Sequence, residues 1–151
     1  MKRIKSFFSV LLIASVFLPA FTLTGFQKSQ QEPWSEKQLL APGELAGIIN
    51  NPQLKQPIVL CIGPGAVIKG SLDIGAAHEK VNYEKLKLQL EKLPRDADIV
   101  IYCGCCPFEH CPNIRPAFRL LNEMKFTNQR LLDIPHNIKT DWIDKGYPVI
   151  K

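Results

Sequence analysis

The residues best suited to chemistry in this sequence lie in one short stretch, CGCCPFEHC. It begins at Cys103 and ends at Cys111, and it holds four of the five cysteines and one of the three histidines. Thiolate and imidazole groups are ligands that suit Zn and Cu(I). Neighbouring thiols also form disulfides, and a single ionised thiol acts as a nucleophile. The stretch therefore indicates a metal site, a disulfide or one reactive sulfur.

Cys103 has the best position for a nucleophile. It directly follows Ile99–Tyr102, an apolar run typical of a strand that is buried on both faces. A helix is predicted over residues 113–124, so that its N-terminal dipole and the amides of the loop should favour negative charge here. Such a setting lowers the pKa of a thiol. Gly104 would let the backbone turn closely around the sulfur.

Two alternatives use the other cysteines of the loop. Cys105, Cys106, His110 and Cys111 would form a Zn or Cu(I) site, although their spacing is crowded and no further cysteine pair completes it. In the second alternative, Cys111 pairs with Cys105 or Cys106 in a disulfide, which would make the chain a thiol–disulfide redox module. Because five is an odd number, at least one thiol cannot pair within the chain.

The elements that must position this loop follow from the apolar pattern. Continuous apolar runs predict buried strands, and apolar residues at helical spacing predict helices. The predicted strands cover residues 58–62, 99–102 and 130–132, and the predicted helices cover residues 42–50, 83–93, 113–124 and, as a short piece, 142–145. Residues 66–77 are expected to be irregular or to hold a short strand. Because strands alternate with helices, we expect an α/β fold with a central parallel sheet flanked by helices.

The N-terminus resembles an export signal. Lys2, Arg3 and Lys5 precede an apolar run over residues 7–18, which Pro19 interrupts. We therefore expect a signal peptide over residues 1–25, a linker over residues 26–41 and one domain over residues 42–151. An uncleaved membrane anchor is the alternative, although the run is short for a span. The domain is accordingly expected in the periplasm or outside the cell.

The composition of the chain is that of a globular protein, with 46% hydrophobic and 22% charged residues. The formal net charge of +5 does not indicate nucleic-acid binding. Three of these charges belong to Lys2, Arg3 and Lys5, and no compact basic stripe lies elsewhere in the sequence.

Several motifs resemble the rhodanese (sulfurtransferase) domain. The run IVIYC, which ends in Cys103, is similar to the strand that carries the catalytic cysteine of that family. The segment WIDKGYPV, from Trp142 to Val149, is similar to its closing Trp and Gly-Tyr-Pro pattern. PIVLCIG resembles its first core strand, and IKGSLDIGAA resembles a degenerate form of its middle motif. The resemblance covers about residues 42–150 and implies a small α/β domain of this type.

The resemblance also implies a function. A donor such as thiosulfate would give sulfane sulfur to Cys103, and a thiophilic acceptor (cyanide, a thiol or a protein cysteine) would remove it. The loop residues Gly104, Cys105 and Cys106 would cradle the persulfide, and Arg115 would position an anionic donor. No cofactor is implied. The loop is longer than is usual in the family, and the spacings from Cys103 and Cys111 to Arg115 exclude a related phosphatase site.

The remaining candidate residues are given structural interpretations. Cys61 lies inside an apolar run and is predicted to be an ordinary core residue. His78 and His136 have no partner that the sequence reveals, so both are expected to be solvated. Asp133 and Asp141 lie near predicted turns and are expected to cap local backbone.

Overall fold

The computed structural model describes residues 31–151, so the predicted signal peptide lies outside the described residues. Within residues 31–151, no helix combines the length and the apolar character that a membrane crossing needs. The described residues form one compact unit that begins at Gln31. The folded part therefore begins earlier than residue 42, where the sequence pattern placed it.

A five-stranded sheet lies at the centre of this unit, and all of its strands are parallel. The strands are β1 (Leu39–Leu40), β2 (Ile58–Cys61), β3 (Leu72–Asp73), β4 (Ile99–Tyr102) and β5 (Gln129–Leu132), in the spatial order β1-β5-β4-β2-β3. The helices are α1 (Pro42–Asn50), α2 (Lys80–Glu91) and α3 (Ile114–Glu123). Short 3₁₀ turns cover Glu36–Gln38 and Phe108–His110, and a π-helical turn covers Lys139–Ile143. The predicted α/β fold with a central parallel sheet is confirmed.

Each face of the sheet has its own core, because successive side chains of a strand point to opposite faces. On one face, Ile99 and Ile101 of β4 pack with buried residues of α2 and α3. On the other face, Val100 and Tyr102 of β4 pack with Leu45 of α1 and with other buried residues of that face. β4 is therefore buried on both faces, as its unbroken apolar run predicted.

The N-terminal segment contributes more than the sequence pattern suggested. Residues 26–41 were expected to be a linker, but Leu39 and Leu40 form β1 and pair in parallel with Leu131 and Leu132. Two residues are too few to produce a recognisable strand pattern, since alternation needs about four or more residues. The ring of Trp34 packs edge-on to the ring of Phe118 in α3, with 5.7 Å between the ring centroids.

The C-terminal segment closes the second face of the sheet. Trp142 is fully buried, and its indole N–H donates a hydrogen bond of 2.9 Å to the Pro148 carbonyl. Tyr147 lies edge-on to the Trp142 ring, with 5.2 Å between the ring centroids. Val149 then forms an isolated antiparallel bridge with Ile68. The WIDKGYPV segment thus acts as packing for the core.

Tyr102 ties β4 to the segment that connects β2 and β3. Its hydroxyl accepts hydrogen bonds from the backbone N–H groups of Val67, at 2.9 Å, and Ile68, at 3.2 Å. It also lies 3.1 Å from the Ser71 hydroxyl. Burial raises the pKa of Tyr102 to about 12, so this hydroxyl stays protonated at neutral pH. The residue before Cys103 is therefore held firmly in place.

Candidate active site

Cys103 lies at the carboxyl end of β4, where the chain leaves the sheet for the loop that leads to α3. This edge of a parallel sheet is the usual place for ligands in open α/β folds. Gly104 follows with a φ of 78°, a conformation that side chains rarely adopt. A Cβ at Gly104 would lie 2.7 Å from the Cβ of Ile138, and the Ile138 N–H donates to the Gly104 carbonyl at 2.9 Å. The sharp turn after Cys103 therefore needs glycine.

The Cys103 sulfur is surrounded by groups that stabilise its negative charge. The side chain of Cys111 contributes most, through a hydrogen bond to the Cys103 sulfur. The backbone N–H of Cys105 and the side-chain amide of Asn113 donate to the same sulfur, the latter at 3.2 Å. These hydrogen bonds outweigh burial and lower the pKa of Cys103 to about 5. At neutral pH the group is therefore a thiolate, which is the nucleophilic form.

Asn113 is a part of the site that the sequence did not reveal. Asn113 occupies the N-cap position of α3, but its side chain makes no cap hydrogen bond. Its side-chain oxygen instead accepts from the backbone N–H of His78 at 3.0 Å and lies 2.7 Å from Nδ1 of His78. These contacts fix the amide so that its NH₂ group points at Cys103. His78 is exposed, as expected, and Asn113 is a partner that the sequence did not reveal.

Gly63 forms one wall of the site. It follows β2, the neighbour of β4 in the sheet, and a Cβ at this position would lie 2.7 Å from the Cys103 sulfur. The absence of a side chain at Gly63 thus leaves the space that the sulfur occupies. Only the paired ends of two strands bring these residues together, so the local sequence around Gly63 does not predict this contact.

Cys105 and Cys106 place two further sulfurs near the buried sulfur of Cys103. The sulfurs of Cys103 and Cys105 lie 3.2 Å apart, and those of Cys105 and Cys106 lie 3.3 Å apart. Cys105 is exposed and Cys106 is half-buried. Burial, together with the neighbouring sulfurs, raises the pKa of Cys105 to about 12. Of Cys103 and Cys105, Cys103 is therefore the one that is ionised at neutral pH.

The structure brings together a different set of sulfurs from the predicted metal ligands. Cys103, Cys105 and Cys111 lie with their sulfurs within 4.8 Å of one another. Across residues 31–151, no other three histidine, cysteine or acidic side chains come this close in a metal-binding group. Of the predicted ligands, Cys106 and His110 lie outside this group.

Cys111 is the inner member of the group and is 1% exposed. Its hydrogen bond to the Cys103 sulfur and its burial both raise its pKa, so that it keeps its proton while Cys103 is ionised. Backbone N–H groups of Asn113 and Ile114, at the start of α3, act in the opposite direction on Cys111. The amides of the helix terminus thus face Cys111, whereas the sequence pattern assigned them to Cys103.

All five cysteines lie in the described residues and carry free thiols in this structure. The disulfide alternative paired Cys111 with Cys105 or Cys106. Here the nearest sulfur neighbours of Cys105 are Cys103 and Cys106. Cys61 is buried in β2 as expected, and burial raises its pKa, which leaves it a protonated core thiol.

Arg115 makes its contacts on the N-terminal segment. Its guanidinium lies 2.6 Å from the carboxylate of Glu32 and 5.7 Å from the ring centre of Trp34. It also donates to the Cys111 carbonyl at 3.5 Å. None of these contacts joins it to the Cys103 sulfur, and its guanidinium charge is already paired with Glu32.

The remaining sequence expectations concern the segment after β5. Asp141 caps this segment, since its carboxylate accepts from the backbone N–H groups of His136, at 2.8 Å, and Asn137, at 3.1 Å. His136 is exposed, as expected, and its Nδ1 lies 2.9 Å from the same carboxylate, a contact that the sequence did not reveal. Asp133 has one buried side-chain oxygen without a hydrogen-bond partner, and burial raises its pKa.

Comparisons of the chain with family models, with curated proteins and with solved structures find no significant match. The function of the chain must therefore be inferred from the geometry of the site and from the sequence motifs.

Proposed function

We propose that this chain is a sulfurtransferase that carries sulfane sulfur on Cys103 as a persulfide. The observation that carries the proposal is the set of donors around the Cys103 sulfur at the carboxyl end of β4. The Cys111 side chain, the Cys105 amide and the Asn113 amide all favour the thiolate. The same donors would stabilise Cys103 when it leaves as a thiolate after the sulfur has been delivered.

The reaction follows from nucleophilic attack by this thiolate. With thiosulfate as donor, the Cys103 sulfur attacks the sulfane sulfur, the S–S bond of thiosulfate breaks, and sulfite leaves with the electron pair. An acceptor such as cyanide then attacks the outer sulfur of the persulfide, forms thiocyanate and returns the electron pair to Cys103. Neither step needs a cofactor, an oxidant or a reductant.

The rhodanese-like motifs IVIYC and WIDKGYPV support this proposal. IVIYC ends in the cysteine at the end of a central strand, and WIDKGYPV closes the core. The partners we propose are a small sulfur donor and a thiol, cyanide or protein-cysteine acceptor, with no nucleic acid. We further propose an exported domain, in the periplasm or outside the cell, held at a membrane only if the N-terminal segment stays attached.

The test is to incubate the reduced protein with thiosulfate and to measure its intact mass and its thiocyanate production with cyanide. We expect a gain of one sulfur atom, which peptide fragmentation locates in the Cys103 loop. Cys103→Ser should abolish both the mass gain and the production of thiocyanate. Cys61→Ser is the matched control, because Cys61 is a buried thiol with a raised pKa. Wild-type protein that gains no sulfur from thiosulfate, polysulfide or a low-molecular-weight persulfide would contradict the proposal.

A second candidate function is the binding of Zn or Cu(I), which the grouping of three sulfurs within 4.8 Å favours. Three thiolates are a soft ligand set that suits Cu(I), and Zn would need a fourth ligand. The ligands would be Cys103, Cys105 and Cys111, so bound metal and sulfur transfer would compete for the same Cys103 sulfur.

This candidate is tested by titrating the anaerobic, reduced protein with Cu(I) or Zn and measuring the stoichiometry by elemental analysis after desalting. If the candidate is right, one ion stays bound, Cys111→Ser loses it, and His110→Ala retains it. A protein that retains no ion, or a His110→Ala variant that loses as much as Cys111→Ser, would contradict this set of ligands.

A further inference from the structure

The Cys103 sulfur is poorly placed to meet a large acceptor directly. Cys103 is 7% exposed, Gly63 lies against one side of its sulfur, and the buried Cys111 lies close to it as well. Cyanide and other small nucleophiles can approach such a sulfur, whereas a cysteine on another protein must bring its backbone with it. Delivery to a protein thiol therefore needs a carrier nearer the surface.

Cys105 has the position of such a carrier. Its sulfur lies 3.2 Å from that of Cys103, and its side chain is exposed. An S–S bond is about 2 Å long, so a sulfur atom added to Cys103 lies within reach of the Cys105 sulfur after small torsional changes. Cys111 is also close to Cys103, but at 1% exposure it cannot offer a sulfur to a partner.

We propose that Cys105 takes the sulfane sulfur from Cys103 and presents it at the surface to a thiol on another protein. This inference rests on the proposed persulfide of Cys103 and extends it to the acceptor class. In this scheme Cys103 takes sulfur from a small donor, and Cys105 delivers it to a bulky acceptor.

The transfer is balanced and needs no external redox partner. The Cys105 sulfur forms a bond to the outer sulfur of the Cys103 persulfide while the S–S bond at Cys103 breaks. The electron pair of that bond returns to Cys103, which becomes a thiolate again, and the proton of the Cys105 thiol passes to the transferred sulfur. This is a thiol exchange in which the outer sulfur, and not the inner one, is attacked. Attack on the inner sulfur would instead form a Cys103–Cys105 disulfide and release sulfide.

The test separates small from bulky acceptors. Full-length protein is loaded with thiosulfate and desalted, and its discharge to cyanide and to a reduced cysteine-containing peptide is timed. Cys105→Ser keeps the backbone N–H that donates to Cys103, so we expect it to load and to discharge to cyanide, and its peptide transfer is compared after normalisation to its own cyanide rate. Its transfer to the peptide should be at least about tenfold slower, because a positioned reactive group has been lost. Peptide fragmentation of loaded wild type should place part of the added sulfur on Cys105.

The control is Cys106→Ser, which removes the neighbouring thiol at 3.3 Å from Cys105 but keeps the proposed carrier, and should therefore not show the tenfold loss of peptide transfer. Transfer to the peptide at the wild-type rate by Cys105→Ser would overturn the relay. Release of sulfide with a Cys103–Cys105 disulfide would also overturn it, and both results would leave the Cys103 persulfide standing. Wild type that does not load at all would overturn the relay together with the proposed function.

Discussion

The charge on Cys103 depends on three neighbours in the loop between β4 and α3. Cys105 follows it in the loop, Asn113 precedes α3, and Cys111 lies between them. A neutral thiol is only a weak hydrogen-bond acceptor, whereas a thiolate accepts strongly. Three donors around the Cys103 sulfur therefore stabilise its anion relative to the thiol. At the scale of single residues, the site therefore favours the ionisation of Cys103 over that of Cys105 and Cys111.

The ionisation of Cys103 gives a prediction about pH. Because its pKa is lowered to about 5, the thiolate is present above that pH and is lost as the pH falls through it. Thiolate absorbance in the ultraviolet, taken as the difference between wild type and Cys103→Ser, should therefore titrate with a midpoint near 5. The rate of persulfide formation should follow the same profile. A midpoint near 9.0, the ordinary value for a thiol, would show that the donors do not act on this sulfur.

Asn113 gives a second prediction at this scale. Asn113→Ala removes a side-chain donor to Cys103, so we expect the midpoint of the thiolate titration to rise and stability to fall by about 1–3 kcal/mol. His78→Ala should have a smaller effect on the midpoint, because the backbone N–H of residue 78 still holds the Asn113 oxygen. The same titration and urea unfolding measure both variants. A larger shift in His78→Ala than in Asn113→Ala would contradict this role of Asn113.

The loop between β4 and α3 is shaped by contacts at both of its ends. Gly104 makes the turn after β4 against Ile138, and Phe108 packs its side chain against the core and against Trp34. The Arg115 guanidinium in α3 also lies near the Trp34 ring. The N-terminal segment thus supports the loop that carries the reactive sulfur.

The turn at Gly104 gives a prediction with a close control. Gly104 and Gly70 both have a φ of 78°, but only a Cβ at Gly104 meets a neighbour within 4 Å. Gly70→Ala should lower the free energy of unfolding by about 1–2 kcal/mol through backbone strain. Gly104→Ala should lower it by a further 1–3 kcal/mol or so, because Ile138 must move. Urea unfolding of both variants measures the difference, and equal effects would show that Ile138 imposes no constraint.

The sequence was sufficient to predict the elements that contain many regularly spaced apolar residues. The run Ile99–Tyr102 and the helical spacing of α3 identified the central strand, the following helix and the position of Cys103 between them. The contacts of Asn113 with His78, and of Gly63 with Cys103, escaped prediction. Such contacts join residues far apart in sequence, and only the pairing of strands and the packing of α3 bring them together. Local pattern carries no information about them.

At the scale of the whole molecule, the folded unit includes the residues before α1. Leu40 is 2% exposed, pairs with β5 and belongs to the core on the face of α1. Asp133, just after β5, donates its backbone N–H to the Leu40 carbonyl at 2.9 Å. This N-terminal strand is therefore part of the sheet edge next to β5.

The role of this segment can be measured. Leu40→Ala should lower the free energy of unfolding by about 2–5 kcal/mol, since it empties a buried site. Leu54→Ala is the matched control, because Leu54 is 47% exposed and its loss should change stability by no more than about 0.5 kcal/mol. Chemical denaturation of the two variants provides the comparison. Similar stabilities would mean that residues 39–40 do not belong to the folded unit.

The sheet ends on both sides in strands of only two residues, β1 and β3. A long exposed edge strand would offer a row of unpaired backbone N–H and C=O groups to which another chain could pair. Within residues 31–151, each edge of the sheet offers few such groups, which disfavours extension of the sheet by strands of a second molecule. The short edge strands thus limit backbone pairing between copies of this folded unit, whose central strands are rich in strongly β-forming residues.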